Sequence, residues 1–202
     1  MISIEMSSLW GDDTEQIVKG VTEATNNIIS YHNNPNTSKN MLLELVNDIQ
    51  SICSFWTGNT YVGIPKIDII KNTFQSFFES LMQLLLAMKD SEKVYESTFA
   101  YAILYRGTVY RYLSDNFNDR AVAPIYDNAY VSWSKEPNND YILSKLYGTI
   151  TWISCKISEP LYGIDLDAIG CSKESEHEVV FPTIEKYITE IKYFSEDKDV
   201  KT

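Results

Sequence analysis

The chain is short of histidine, with only His32 and His177, and it holds just three cysteines, Cys53, Cys155 and Cys171. Two histidines and an odd number of distant thiols make neither a zinc ligand set nor a disulfide framework, so no metal is expected and the thiols are read as reduced. Basic residues are scarce too: 17 Lys and Arg stand against 28 Asp and Glu, a formal net charge of −11. The deficit is shared, with 6 basic and 11 acidic residues over 1–95 and 11 and 17 over 96–202. Without a basic lobe, the chain lacks the charge that wraps duplex nucleic acid or docks on an anionic membrane. Long hydrophobic runs are missing. The stretch from Phe77 to Met88 is interrupted by Glu79, Ser80 and Gln83 and is too short to span a bilayer. The N-terminal MISIEMSSLWGDD has no basic segment leading into an apolar one, so no secretory leader is read and a cytoplasmic location is expected. No Walker-type loop and no Gly-x-Ser-x-Gly elbow is present.

What the chain does have is apolar and aromatic substance. Of its 202 residues 44% are apolar, with 14 Tyr and 8 Phe, enough for one sizeable core or two small lobes. The first part reads as helices. Asp12-Asp13-Thr14 caps a helix through about Tyr31, with Ile17, Val21, Ala24 and Ile28 on one stripe. "HNNPNTSKN" breaks the chain. Leu42, Leu45, Val46, Ile49, Ile52 and Cys53 mark a second stripe. After a loop over 57–65, Ile70, Phe74, Phe77, Phe78, Leu81, Leu84, Leu85 and Met88 mark a third, broad enough for a helix buried on most sides. The character changes near residue 100. "AYAILYRG" is a short apolar run ending in Arg-Gly, and "NAYVSWS", "GTITWISCKI", "HEVVFP" and "KYITEIKYF" are strand-like. The tail "SEDKDVKT" is expected to fray. The expected architecture is α+β, with a helical segment over 1–95 and a β-rich core over 96–202 joined in one compact unit.

Three small constellations carry chemistry. In "ESEHEVVFP" (174–182), Glu176 and Glu178 stand at i and i+2, which on a strand puts both carboxylates on one face with His177 and Val179 opposite. Such a pair is either a solvated sheet edge or a working pair in a cleft, and the two residues alone leave both open. Arg106 ends an apolar run and precedes Gly107; a guanidinium there suits a phosphate, and glycine admits close approach of a ligand. A structural ion pair is the alternative. Ser132 and Ser134 share a strand face, with Trp133 on the apolar side. Asp165 and Asp167 repeat the i, i+2 spacing, but no calcium-loop spacing follows them.

Taken in order, "LYRG" (104–107), "YVSWS" (130–134) and "ESEHEVVFP" resemble the Arg–Ser–Glu type of mono-ADP-ribosyltransferases, the family of cholera-toxin-like and C2/C3-like toxins and of phage-encoded enzymes that modify host proteins. "EHEVVFP" matches the family pattern of Glu or Gln, any residue, Glu, aliphatics and Pro, and Trp133 stands where the family has Thr. The resemblance covers roughly 100–194. It implies a split, mixed or antiparallel β-sandwich that grips NAD in a cleft. Arg106, with Gly107, would hold the phosphates. Ser132 and Ser134 would line the site, Ser132 holding Glu178. Tyr141 would pack on nicotinamide. Glu178 would stabilise the charge that develops as nicotinamide leaves, and Glu176 would orient the acceptor. Glu at position 176 goes with arginine acceptors in the family. The implied partners are NAD, as substrate, and a target protein, with no membrane, no metal and no nucleic acid. The implied setting is a cytoplasm, that of the producing cell or of a host into which the protein is delivered. Outside this reading stand an NAD glycohydrolase, a nucleic-acid ADP-ribosyltransferase and a non-catalytic interaction module.

Overall fold

Apolar residues three and four apart wind the described part of the first hundred residues into helices. A computed structural model of the chain describes residues 14–58, 67–113, 130–137, 148–157, 161–171, 177–182 and 184–198. The chain forms two units, Met1–Ile103 with Ala168–Cys171, and Leu104–Asp167 with Ser172–Thr202. No described helix is long and apolar enough to cross a membrane.

The first unit holds α1 (Thr14–Asn33), α2 (Lys39–Gly58), α3 (Ile67–Lys89) and α4 (Val94–Ile103). In α1, Ile17, Val21, Ala24, Ile28 and Tyr31 are buried, the stripe read from the sequence. Ser38 caps α2, its Oγ accepting the Met41 N–H at 3.2 Å. The core is aromatic. Phe55 stacks on Phe74 with centroids 6.0 Å apart, and Trp56 meets Phe78 edge-on at 5.0 Å. The segment 168–171 is tied into this unit: Gln50 Nε2 donates to Ile169 O at 2.8 Å and Thr57 Oγ1 to Cys171 O at 3.3 Å. The apolar run of "AYAILYRG" divides, because Ala102 and Ile103 close α4 and only Leu104 and Tyr105 are strand.

The second unit is a seven-stranded sheet of β1 (Leu104–Tyr105), β2 (Thr108–Leu113), β3 (Val131–Ser134), β4 (Gly148–Ile157), β5 (Gly163–Asp165), β6 (Glu178–Phe181) and β7 (Ile188–Lys198), in the order β1-β5-β6-β3-β2-β4-β7. A short helix, α5 (Leu166–Ile169), follows β5 directly. Every described pairing is antiparallel. The expected frayed tail is corrected in part: Ser195 to Lys198 pair with Thr151 to Gly148, so the last strand runs on to Lys198.

The sheet must curl. β1 and β2 lie four strand spacings apart in the ladder, roughly 19 Å if the sheet were flat. Only Arg106 and Gly107 join them, and three Cα steps reach at most about 11 Å. The chain therefore bends at Arg106-Gly107 and brings the two ends of the five-strand run together. Gly107 has φ of +146°, a conformation other residues rarely adopt, and a Cβ there would lie 3.0 Å from the Tyr105 hydroxyl. That hydroxyl donates to Thr108 O at 2.9 Å across the bend. One sheet face gathers Val109, Trp133, Cys155, Ile157, Val179, Phe181 and Ile184 into an apolar cluster with Tyr105 packed against it. Gly163 leaves room for the Phe181 ring, whose nearest carbon would be 2.5 Å from an added Cβ.

Candidate functional site

Residues directly opposed on antiparallel strands share a face. The register pairs Ser132 with Val180, Trp133 with Val179 and Ser134 with Glu178. Ser132, Ser134 and Glu178 therefore share one face, and Trp133 goes into the apolar cluster on the other, as the alternation in "VSWS" predicts. Glu178 is 6% exposed. A carboxylate buried this far needs a donor. The diagonal Ser132 supplies one, its Oγ donating a short hydrogen bond to Glu178 Oε1. A glutamate is long enough to reach the diagonal position, and the opposed Ser134 accepts the Glu136 N–H on its Oγ at 3.2 Å. Behind Ser132, Arg111 of β2 donates from Nη1 to the Ser132 carbonyl at 2.8 Å, fixing the strand that presents the hydroxyl.

Arg106 lies just past the end of β1, exposed, with its guanidinium carbon 4.5 Å from the centroid of the Tyr162 ring. Stacking of this kind fixes the plane of the guanidinium. The chain thus places Ser132 on Glu178, and puts Arg106 and Gly107 immediately ahead of β2, the strand next to the Ser132 strand. Glu176 and Tyr141 lie outside the described residues.

The strand rule that placed Glu176 and Glu178 on one face does not reach past Glu178. β6 begins at Glu178, and His177 has φ of +49°, the left-handed region. No other described residue except glycine has a positive φ. The backbone turns there, so alternation stops.

A cluster of ions surrounds that turn. Lys135 follows β3; its N–H donates to His177 O at 2.9 Å, and its Nζ reaches Asp165 at 2.9 Å and Asp167 at 3.3 Å. His177 Nδ1 lies 3.1 Å from Asp167 Oδ2, and Nε2 lies 3.5 Å from Glu136 Oε1. Burial pushes the Asp167 carboxyl up, but hydrogen bonds from His177 and Lys135 outweigh it and hold the group below its ordinary range. Burial likewise disfavours the Lys135 ammonium, and the two aspartates overcome it, so its pKa is raised. Asp165 and Asp167, the i, i+2 pair with no calcium-loop spacing after it, both bind this lysine. Burial raises the Cys155 thiol to about 11, so this thiol stays protonated near neutral pH. Sequence reading missed Arg111, Lys135 and the ring of His177 as parts of the site. "TVYRYL" mixes apolar, aromatic and charged residues and gave no signal for β2; nothing local marks Lys135, whose partners are set by strand order. Comparison of the chain with family models, with curated proteins and with solved structures gives no match.

Proposed function

We propose that the chain transfers ADP-ribose from NAD to a protein side chain, an arginine by preference, and releases nicotinamide. The observation that carries the reading is the Ser132–Glu178 hydrogen bond, formed between adjacent strands in the Arg–Ser–Glu order that the sequence sets out. In this mechanism the bond between C1′ of the ribose and the nicotinamide nitrogen breaks, and nicotinamide leaves with the electron pair. The ribose becomes oxocarbenium-like, and a fixed carboxylate beside it stabilises the developing charge. Glu178 takes that role. Ser132 holds its Oε1, so the carboxylate does not reorient during the reaction. Arg106, steadied on Tyr162, binds the pyrophosphate. Glu176 receives the guanidinium of the acceptor and takes the proton that its nitrogen gives up as it attacks C1′. A net charge of −11 favours a cationic acceptor.

The test is incubation of the full chain with labelled NAD and a small guanidine acceptor, beside Glu178→Gln. Transfer by the wild type that is lost in the variant supports the reading. Nicotinamide release without transfer makes water the acceptor and the protein an NAD glycohydrolase. Absence of both NAD turnover and NAD binding by calorimetry overturns it.

A further inference from the structure

We infer that His177 is a positioning residue for Glu178, acting as a clasp between the turn after β3 and the turn before β6; the inference rests on the proposed role of Glu178. A left-handed backbone at a residue with a Cβ costs on the order of 1 kcal/mol or more and persists only where its surroundings hold it. Here the surroundings hold it three ways. The Lys135 N–H anchors the His177 carbonyl at 2.9 Å. Asp167 anchors the ring at 3.1 Å. The Lys135 ammonium anchors Asp167 at 3.3 Å, closing the circuit back to β3. Glu136 faces the second ring nitrogen at 3.5 Å and is half exposed, so it adds little.

The residue so held is the one directly before Glu178. Rotation about the backbone of His177 swings the first residue of β6, and with it the carboxylate that Ser132 holds. Asparagine or glycine would reach this conformation more readily. A histidine there gives up backbone comfort and gains a ring that reaches Asp167. The Lys135–Asp167–His177 circuit therefore ties β3, which carries Ser132, to the turn that carries Glu178, and sets the approach of the two groups.

The test uses His177→Gly in the full chain. Glycine adopts positive φ without strain, so the fold is kept while the ring is lost. The expected result is a kcat for nicotinamide release lower by on the order of 10- to 100-fold, with KM for NAD nearly unchanged, and recovery on adding free imidazole, which can refill the ring's place beside Asp167. Wild-type kcat in His177→Gly, or a loss that imidazole does not restore, overturns the inference. A second readout needs no activity: the side-chain carboxyl carbon-13 signal of Glu178, assigned by its loss in Glu178→Gln. Movement of that signal in His177→Gly, reversed by imidazole, supports the clasp even if the wild type releases no nicotinamide, in which case the proposed function falls alone. An unmoved signal overturns the clasp.

Discussion

Among the described residues each unit of the molecule buries one glutamate to nearly the same depth, Glu96 at 7% and Glu178 at 6% exposed, and the two are held differently. Glu96 sits in the first turn of α4, in regular helix. Tyr31 Oη donates to its Oε2 at 2.8 Å and Ser91 Oγ to its Oε1 at 2.9 Å. These donors come from the end of α1 and the turn before α4, so the carboxylate is a tie between chain segments. Burial and Glu96 push the Tyr31 phenol far above its ordinary pKa, which keeps the hydroxyl a donor. Glu178 instead follows the single left-handed non-glycine residue among those described, beside a ring of five charged or ionisable side chains. Strain accompanies the second glutamate and not the first. Burial alone therefore does not tell the two apart; the backbone that delivers them does, and the proposed function places its carboxylate at the strained one.

The comparison breaks most sharply at the two carboxylates themselves. Glu178→Gln is expected to lower nicotinamide release by about 10²- to 10³-fold with little change in melting temperature, a loss typical of removing one charge-stabilising group. Glu96→Gln is expected to leave release intact and to lower stability. Equal effects of the two on turnover, measured side by side, would end the distinction. Next in size is Gly163→Ala, where the new Cβ would overlap Phe181, a fully buried ring. Overpacking of this kind costs about 1–3 kcal/mol, read as a lower urea midpoint. A wild-type midpoint would mean that β5 and β6 part without cost. Removing one hydroxyl from each glutamate then tests the donors. Tyr31→Phe strips a donor from a buried charge and should cost about 1–3 kcal/mol of stability with activity kept. Ser132→Ala strips a donor from an equally buried carboxylate, so it should cost about 1–3 kcal/mol as well, and it should add what Tyr31→Phe does not, a drop in kcat of roughly tenfold.

The smallest effect is in acid. The Asp167 pKa is lower in the folded chain than its ordinary value, so its contribution is present above the unfolded-state pKa and fades as pH falls through the folded one. Thermal melts of Asp167→Asn should therefore differ from wild type near neutral pH and converge with it in acid below the ordinary aspartate range. A difference constant with pH would show that the aspartate acts by packing rather than charge.

The first three helices were legible because their stripes repeat at helical spacing over roughly three to five turns, longest from Ile70 to Met88. The long strand Gly148–Ile157 was legible from its β-branched residues. β2 and β5 were not, since "TVYRYL" mixes aromatic and charged residues and "GID" is three residues long. The end of α4 was misjudged because "AYAIL" suits helix and strand alike and tertiary packing decided. In the site, the alternation in "VSWS" foretold which face each residue takes. The turn at His177 was invisible, because neither glycine nor asparagine announces it. The Lys135–Asp165 contact spans 30 residues and depends on β3, β6 and β5 lying side by side, an order no local pattern encodes.

The bend at Arg106-Gly107 has a consequence for how the molecule comes into being. Strands next to each other in sequence, β1 and β2, stand at opposite ends of a five-strand run whose middle member, β6, is contributed from beyond residue 177. The run cannot be completed from local contacts. Its closure waits on long loops, the slow kind of search in folding. The helical stripes can collapse early, whereas Ser132 meets Glu178 only when the strand from beyond residue 177 has been placed. Any chain cut short before β6, whether by a ribosome still at work or by a protease, carries Arg106 and Ser132 but not Glu178, and under the proposed function such a fragment releases no nicotinamide.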